Sequence, residues 1–333
     1  MTAPVLDLAS IRHDRRGVGA VMGEVMLALI PGTLLFAWLI DPRVLANVAL
    51  AVLAALVLEA LVLRLRARRI GVTLADGSIA LAAWLLALAV PPGLPAGQLL
   101  VGVAAMVLLG KHLYGGLGFN PFNPAMVGYA VLIVSFPITM TSWPAGGATP
   151  SPPALERTVE HAPRDWDALS GATPLDRLRT LERAPGADGS GAIEPGAMIL
   201  SSAWPWVNGG FLVGGLWLLA RRVIGWRIPA AVLGTLGTLH ALHGLFAATA
   251  QAPVLVELFA GAAMLGAFFI ATDPVSAASG PRARLAYGAG IGGLTFTLRE
   301  FGAYPEGIAF AVLLMNLTVP LLDRLSGAAG TPR

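Results

Sequence analysis

The chain contains no cysteine. That absence excludes structural disulfides, thiolate zinc sites and iron–sulfur clusters held by its own thiolates. Any redox centre it carries is organic, or a haem held by histidine or methionine. Charge is the second scarcity. Only 12% of the 333 residues are Asp, Glu, Lys or Arg, against about 25% in a soluble domain. Hydrophobic residues make up 56%, and mean hydropathy is +0.73. This is the composition of a polytopic membrane protein. The 40 glycines and 25 prolines suit membrane helices, where small residues let backbones approach and neighbours re-satisfy broken turns.

Ten apolar segments fall at about 21–40, 44–63, 72–90, 98–114, 124–140, 209–222, 229–246, 254–272, 284–298 and 307–323. They predict an all-α polytopic protein, about ten transmembrane helices in one bundle. Residues 1–20 form a cytoplasmic N-terminal segment, 21–140 helices 1 to 5, and 141–208 an extracytoplasmic loop between helices 5 and 6. Helices 6 to 10 follow over 209–323, then a cytoplasmic tail, 324–333. Basic residues support this orientation. With both termini inside, 15 of the 22 fall on the inner side, and of the other seven only Arg43 and Arg299 lie outside the long loop. The pI near 9.8 follows from that topology and requires no nucleic-acid partner. The first apolar run, after Arg15-Arg16, is too long for a signal h-region and lacks a small-x-small cleavage site, so it reads as a retained span.

Connections as long as 141–208 are usually functional or disordered. Within it, Leu175, Leu178 and Leu181 have near-helical spacing after Asp167-Ala168-Leu169-Ser170-Gly171-Ala172-Thr173-Pro174. Local chemistry reads Thr173 as an N-cap, Pro174 as N1 and Asp176 as a first-turn acid. A capped helix start also presents a hydroxyl and free backbone N–H groups, which suit a phosphate. Trp143, Trp204 and Trp206 flank the loop as expected interfacial anchors.

Three stretches carry a family resemblance. They are Lys111-His112-Leu113-Tyr114-Gly115-Gly116-Leu117-Gly118-Phe119-Asn120-Pro121-Phe122-Asn123-Pro124-Ala125-Met126, then Ser170-Gly171-Ala172-Thr173-Pro174-Leu175, then Phe269-Ile270-Ala271-Thr272-Asp273-Pro274-Val275-Ser276. With the Gly302 to Pro320 region they make the chain resemble the D subunits of the Rnf electron transport complex. Those are sisters of the B subunits of the sodium-translocating NADH:quinone reductase, and the likeness runs nearly end to end. The resemblance implies FMN joined to Thr173 through a phosphoester, with Ser170, Gly171 and Ala172 as its small neighbours, and an exported flavin transferase to attach it. It also implies a second flavin, riboflavin, bound without a covalent link in the membrane part.

Asn120-Pro121, Asn123-Pro124 and Asp273-Pro274 each place a capping side chain before proline, so each reads as a helix start near the cytoplasmic face. Helix N-termini pointing into a bundle also make polar ligand sites. Asn120, Asn123 and Asp273 are therefore the expected polar contacts of the second flavin. Glu24, Glu59 and Asp76 are candidates for an ion path, because a carboxylate in hydrocarbon costs about 2.5–3.5 kcal/mol on insertion scales. Asp76-Gly77-Ser78 is expected to break the third helix, and Glu257 to snorkel at a span end. His240 and His243, at i and i+3, read as interhelical hydrogen-bonding residues in preference to haem ligands. No catalytic residue and no metal site is expected.

The leading expectation is a flavin-bearing subunit of a redox-driven ion pump in the bacterial inner membrane. It relays electrons between ferredoxin and NAD, moves Na+ or H+, and is not catalytic alone. Its implied partners are iron–sulfur, NADH-binding and further FMN-bearing subunits, the transferase and membrane lipid. A quinone-reductase B subunit is the near alternative, disfavoured because only about 20 residues precede the first span. A cofactor-free ten-helix channel or transporter is the third reading, since broken helices suit it equally.

Overall fold

Helices form wherever the apolar runs predicted them, because a chain in lipid must satisfy its backbone internally. The structure is a computed structural model that describes residues 17–144, 202–246, 253–302 and 306–327. In the first half these residues form α1 (Val18–Leu39), α2 (Arg43–Leu65), α3 (Ile70–Leu74), α4 (Ser78–Ala89), α5 (Ala96–Ala105), α6 (Pro124–Ser135) and α7 (Pro137–Thr141). In the second half they form α8 (Trp204–Ala220), α9 (Arg227–Phe246), α10 (Val254–Ala260), α11 (Ala263–Leu265), α12 (Pro281–Phe301) and α13 (Ile308–Leu325). Helix α5 runs on as a π-helical segment, Met106–His112, and α11 as another, Gly266–Ile270.

Each of the ten apolar segments lies on helix, but not each is one helix. The third breaks at Asp76-Gly77, where Gly77 takes φ +69, a conformation a side chain disfavours. The eighth breaks at Gly261-Ala262, which the sequence reading missed. The fifth is interrupted at Phe136 by Pro137, whose ring ends the preceding hydrogen-bond ladder. Among the described residues four helices, α1, α2, α9 and α13, are long and apolar enough to cross a membrane by length and composition. Their outward residues are themselves apolar: Leu53, Val57 and Leu61 stand exposed four residues apart on one stripe of α2. In water such a stripe is a liability, and in lipid it is the solvent-facing surface.

Small residues set the helix crossings. Helix α1 packs on α8 with Ala28 and Gly32 facing Gly210 and Gly214, so that a Cβ on Gly214 runs into the Ala28 carbonyl. Helix α9 packs on α12 in the same way, with Gly288 and Gly292 against the Ile228 and Val232 carbonyls. Both are small-x-x-x-small contacts that bring backbones close without a hydrophobic drive. Helix α6 lies on α5 and against α13, which joins the halves. One end of the bundle carries Arg64 to Arg69, Lys111, Arg221 and Arg222. There Glu24 on α1 meets Arg221 after α8 at 3.2 Å. The long loop leaves and returns at the other end, where Phe36 of α1 packs on Trp143 and Trp204.

Candidate functional site

At the basic end, the loop before α6 and the loop before α12 are stitched together. Asn123 caps α6, its Oδ1 accepting from the N–H groups of Ala125 (3.0 Å) and Met126 (3.3 Å). Its Nδ2 donates to the Ile270 carbonyl at 3.3 Å, and its own N–H donates to Asn316 Oδ1 at 3.2 Å. Asn316 on α13 then donates to the Ser276 carbonyl (3.1 Å) and the Tyr287 hydroxyl (2.8 Å). Asp273 accepts from Ser276 Oγ at 2.8 Å and from the Val275 N–H at 3.3 Å. Asn123 and Asp273 are thus linked in one network through Asn316 and Ser276.

Two of the three expected helix starts are corrected. Asp273-Pro274 opens a turn closed by Ser276, and the next long helix begins only at Pro281. Asn120-Pro121 stays in the loop because the Asn120 amide is taken by the Phe122 carbonyl, two residues on, at 2.9 Å. That leaves Asn120 Oδ1 buried with no partner among the described residues. Of the three residues assigned to the second flavin, Asn120 alone keeps a buried acceptor for a ligand's donor.

The ion-path candidates separate. Glu24 is neutralised at the surface by Arg221. Asp76 caps the restart of the broken third segment, accepting from Ser78 N (2.8 Å) and Ser78 Oγ (2.5 Å). Glu59 on α2 is fully buried, with Lys111 Nζ 2.6 Å and His112 Nε2 3.4 Å from its Oε1. Lys111 donates on to Ser78 Oγ at 2.9 Å, so the π-helical end of α5 ties α2 to the start of α4. The extra residue of a π turn rotates the side chains beyond it, a geometry common at functional sites.

A second ion cluster lies at the loop end. Arg299 on α12 reaches Glu257 Oε1 (2.7 Å) on α10 and Glu306 Oε1 (2.5 Å) before α13. Glu306 Oε2 also accepts the Ala262 N–H at 3.0 Å, where the eighth segment restarts. Glu257 is therefore not a snorkelling residue: it is 5% exposed and held by an arginine from another helix. Arg43 and Arg299, the two short-loop exceptions to the charge rule, both have acidic partners, Asp41 for the first. His240 and His243 each place Nδ1 3.8 Å from the Glu300 carboxylate, at ion-pair distance.

Between the halves lies a cavity of about 90 Å³ with apolar and aromatic walls. Phe36, Tyr129 and Trp143 face it from the first half, Trp204, Phe211 and Ile308 from the second. Trp143 and Trp204 meet edge-on at 5.6 Å and roof the cavity, whereas Trp206 is 68% exposed. Trp204 Nε1 is buried and has no partner among the described residues. Ser170, Gly171, Ala172 and Thr173 lie outside the described residues. The residues sequence reasoning missed as site members, Lys111, Asn316, Arg299 and Glu306, all act through partners distant in the chain. Two left a signal: Lys111 is the chain's single lysine, and Arg299 broke the charge pattern.

Comparison with known proteins agrees with this architecture. The chain is 44% identical over 343 residues to the D subunit of the ion-translocating oxidoreductase complex of Aeromonas hydrophila subsp. hydrophila, covering 96% of this chain and 95% of that protein. The corresponding D subunit of Alcanivorax borkumensis is 45% identical over 315 residues, with 93% and 91% covered. That of Yersinia pseudotuberculosis is 43% identical over 328 residues, with 93% of each covered. A model of the NQR2, RnfD, RnfE family matches residues 6–329, and the chain belongs to that family.

Proposed function

We propose that the chain is a D-type, flavin-carrying subunit of an ion-translocating oxidoreductase complex, multi-pass in the bacterial inner membrane with ten crossings. Electrons pass between ferredoxin and NAD through partner subunits that hold the iron–sulfur clusters, the NADH site and further FMN, and their flow drives Na+ or H+ across the membrane. The names of its relatives, each a D subunit of an ion-translocating oxidoreductase complex, support this reading over the quinone-reductase B type.

The observation that carries the flavin is the pairing of the 141–208 loop with the inter-half cavity. Trp143 and Trp204, where the loop leaves and returns, line that cavity. Thr173 belongs to the segment that begins and ends beside a slot walled by aromatic rings, and flat ring systems stack on such walls at ordinary centroid distances. The buried Trp204 N–H with no partner among the described residues suits the carbonyl edge of a flavin, and the mainly apolar wall, with Thr141, Asn208 and Glu306 its polar members, suits the ring. FMN supplies reversible one- and two-electron transfer. Thr173 contributes the hydroxyl that bonds its phosphate, with Ser170, Gly171 and Ala172 leaving that hydroxyl approachable to the exported transferase. At the basic end Asn120 offers a second flavin, riboflavin, its unpartnered Oδ1, with the already bonded Asn123 and Asp273 as its other polar contacts, and Glu24, Glu59 and Asp76 border the ion path.

The test is an intact mass with peptide mapping after co-expression with an exported flavin transferase. The expected result is a gain equal to FMN less one water on the Thr173 peptide, absent from Thr173→Ala. An unmodified mass, with the transferase active on a known acceptor, overturns the flavin reading and favours a cofactor-free transporter.

A further inference from the structure

The chain has 22 basic residues, and Lys111 is its only lysine. Every other basic position is arginine, including the surface positions where lysine serves equally well. The one lysine is also among the most deeply buried side chains, 2% exposed and inside the bundle. Lysine differs from arginine in being a compact point charge on a flexible stem, the closest thing among side chains to a small hydrated cation. Its surroundings resemble a cation's. Nζ sits 2.6 Å from Glu59 Oε1 and 2.9 Å from Ser78 Oγ, and Ser78 is oriented by its hydrogen bond to Asp76. Two oxygen-bearing side chains, one from α2 and one from the broken third segment, thus converge on one ammonium, and Asp76 orients the second of them. Interrupted helices are where transporters commonly coordinate ions.

The coordination is incomplete. Glu59 Oε2 and His112 Nδ1 have no hydrogen-bond partner among the described residues, both residues at least nine-tenths buried, while His112 Nε2 faces Glu59 Oε1 at 3.4 Å. The buried charge, by contrast, is complete: the Glu59 carboxylate is matched by the Lys111 ammonium, while the half-buried Asp76 carboxylate lies outside that pair, bonded to Ser78. Adding a free cation to that pair leaves an uncompensated positive charge in a medium where such charges are very costly.

We infer that Glu59 and Ser78, with Asp76 orienting Ser78, form a binding site for a small alkali cation, and that Lys111 is its built-in competitor, occupying the site until the cation displaces it. The exchange is one for one: an alkali cation enters, the ammonium withdraws, and the buried charge stays balanced. The way out is short, since Leu113 and Tyr114, two and three residues on, are already at the surface. Arg68 holds the following loop by its bond to the Gly115 carbonyl at 2.9 Å, so the ammonium moves by rotation of its own stem while the loop stays in place. This inference rests on the ion-translocation reading and assigns it a place.

The single lysine makes the test specific. Reductive methylation labels amines, and only Lys111 and the N-terminal amine are available, the second an internal reference. In the purified complex, saturating Na+ or Li+ is expected to raise Lys111 labelling over the reference roughly tenfold relative to choline at equal ionic strength, as displacement from a buried site requires. In the full-length chain Lys111→Gln is expected to gain saturable 22Na+ binding and Na+-dependent thermal stabilisation, both lost in Lys111→Gln/Glu59→Gln. Cation-independent labelling overturns the inference even if Lys111→Gln fails to fold. A Lys111→Gln protein stabilised by low pH alone, indifferent to alkali cations, overturns it in favour of simple carboxyl protonation. A complex that shows no redox-driven ion uptake overturns the proposed function, whereas one that pumps with unchanged labelling overturns only the exchange.

Discussion

The two buried ion clusters each set one basic side chain against carboxylate at a broken span, and they differ in their charge. At the basic end, Glu59 and Lys111 make a neutral pair sealed from solvent, the side chains 0% and 2% exposed. At the loop end, Arg299 faces two carboxylates, and the Glu306 side chain is 24% exposed and borders the cavity. Each cluster sits where a span is broken: Lys111 reaches Ser78 at the restart after Gly77, and Glu306 accepts the Ala262 N–H at the restart after Gly261. The difference teaches what each cluster can do. A sealed neutral pair changes occupancy only by exchange. A partly open cluster with surplus negative charge is fixed by its arginine and by the Ala262 N–H.

The contrast is broken most violently at Arg299. Arg299→Met leaves two carboxylates facing each other without their cation. Loss of one partner from a buried pair costs about 3–5 kcal/mol, so thermal unfolding in detergent is expected to show loss of folded protein or a large fall in Tm. Lys111→Met is expected to cost less, because only one carboxylate is left and protonation can neutralise it. Most of that cost returns in Lys111→Met/Glu59→Leu, since an apolar replacement of a whole buried pair is often neutral. If the double variant is no better than the single, the pair is not an isolated neutral unit and the comparison fails.

Asn123→Ala removes a helix cap and the side-chain tie to the Ile270 carbonyl, and a fall of about 1–2 kcal/mol is expected. Asn123→Ala and Asn316→Ala are expected to be non-additive in a double-mutant cycle, because they share one hydrogen-bond network. Strict additivity assigns the two loops to separate units. The smallest stability effect is expected at the tryptophans. Trp204→Phe keeps the aromatic roof and deletes an N–H that has no partner among the described residues, so Tm changes little. In the flavin-bearing chain it is expected to shift the flavin's reduction potential. Trp206→Phe, on the lipid-facing side, is expected to change neither, and equal shifts in both variants remove the cavity from the account.

Much of the scaffold was legible, for a simple reason: lipid demands apolar runs, and such runs are visible one residue at a time. The Asp76-Gly77 break was legible too, because a carboxylate and a glycine mark it. The break at Gly261-Ala262 was not, since nothing polar interrupts the apolar run there, and only the Glu306 side chain, 44 residues away, satisfies its freed N–H. The capped start at Asn123 was read correctly. Asp273 looked identical and made a turn, because Ser276 bonded its carboxylate within the loop. Partners were the hidden layer. Periodicity places Glu59 and Lys111 on helices but says nothing of their meeting, and a charge rule flags Arg299 as odd without naming Glu257.

The most direct test of the central claim is cation uptake per electron transferred in proteoliposomes of the assembled complex, wild type against Thr173→Ala, with assembly checked in both. The account predicts that the variant assembles but neither passes electrons to the acceptor nor accumulates cation. Uptake in Thr173→Ala equal to that of the wild type would contradict it, because the electrons that drive the pump would then bypass the loop.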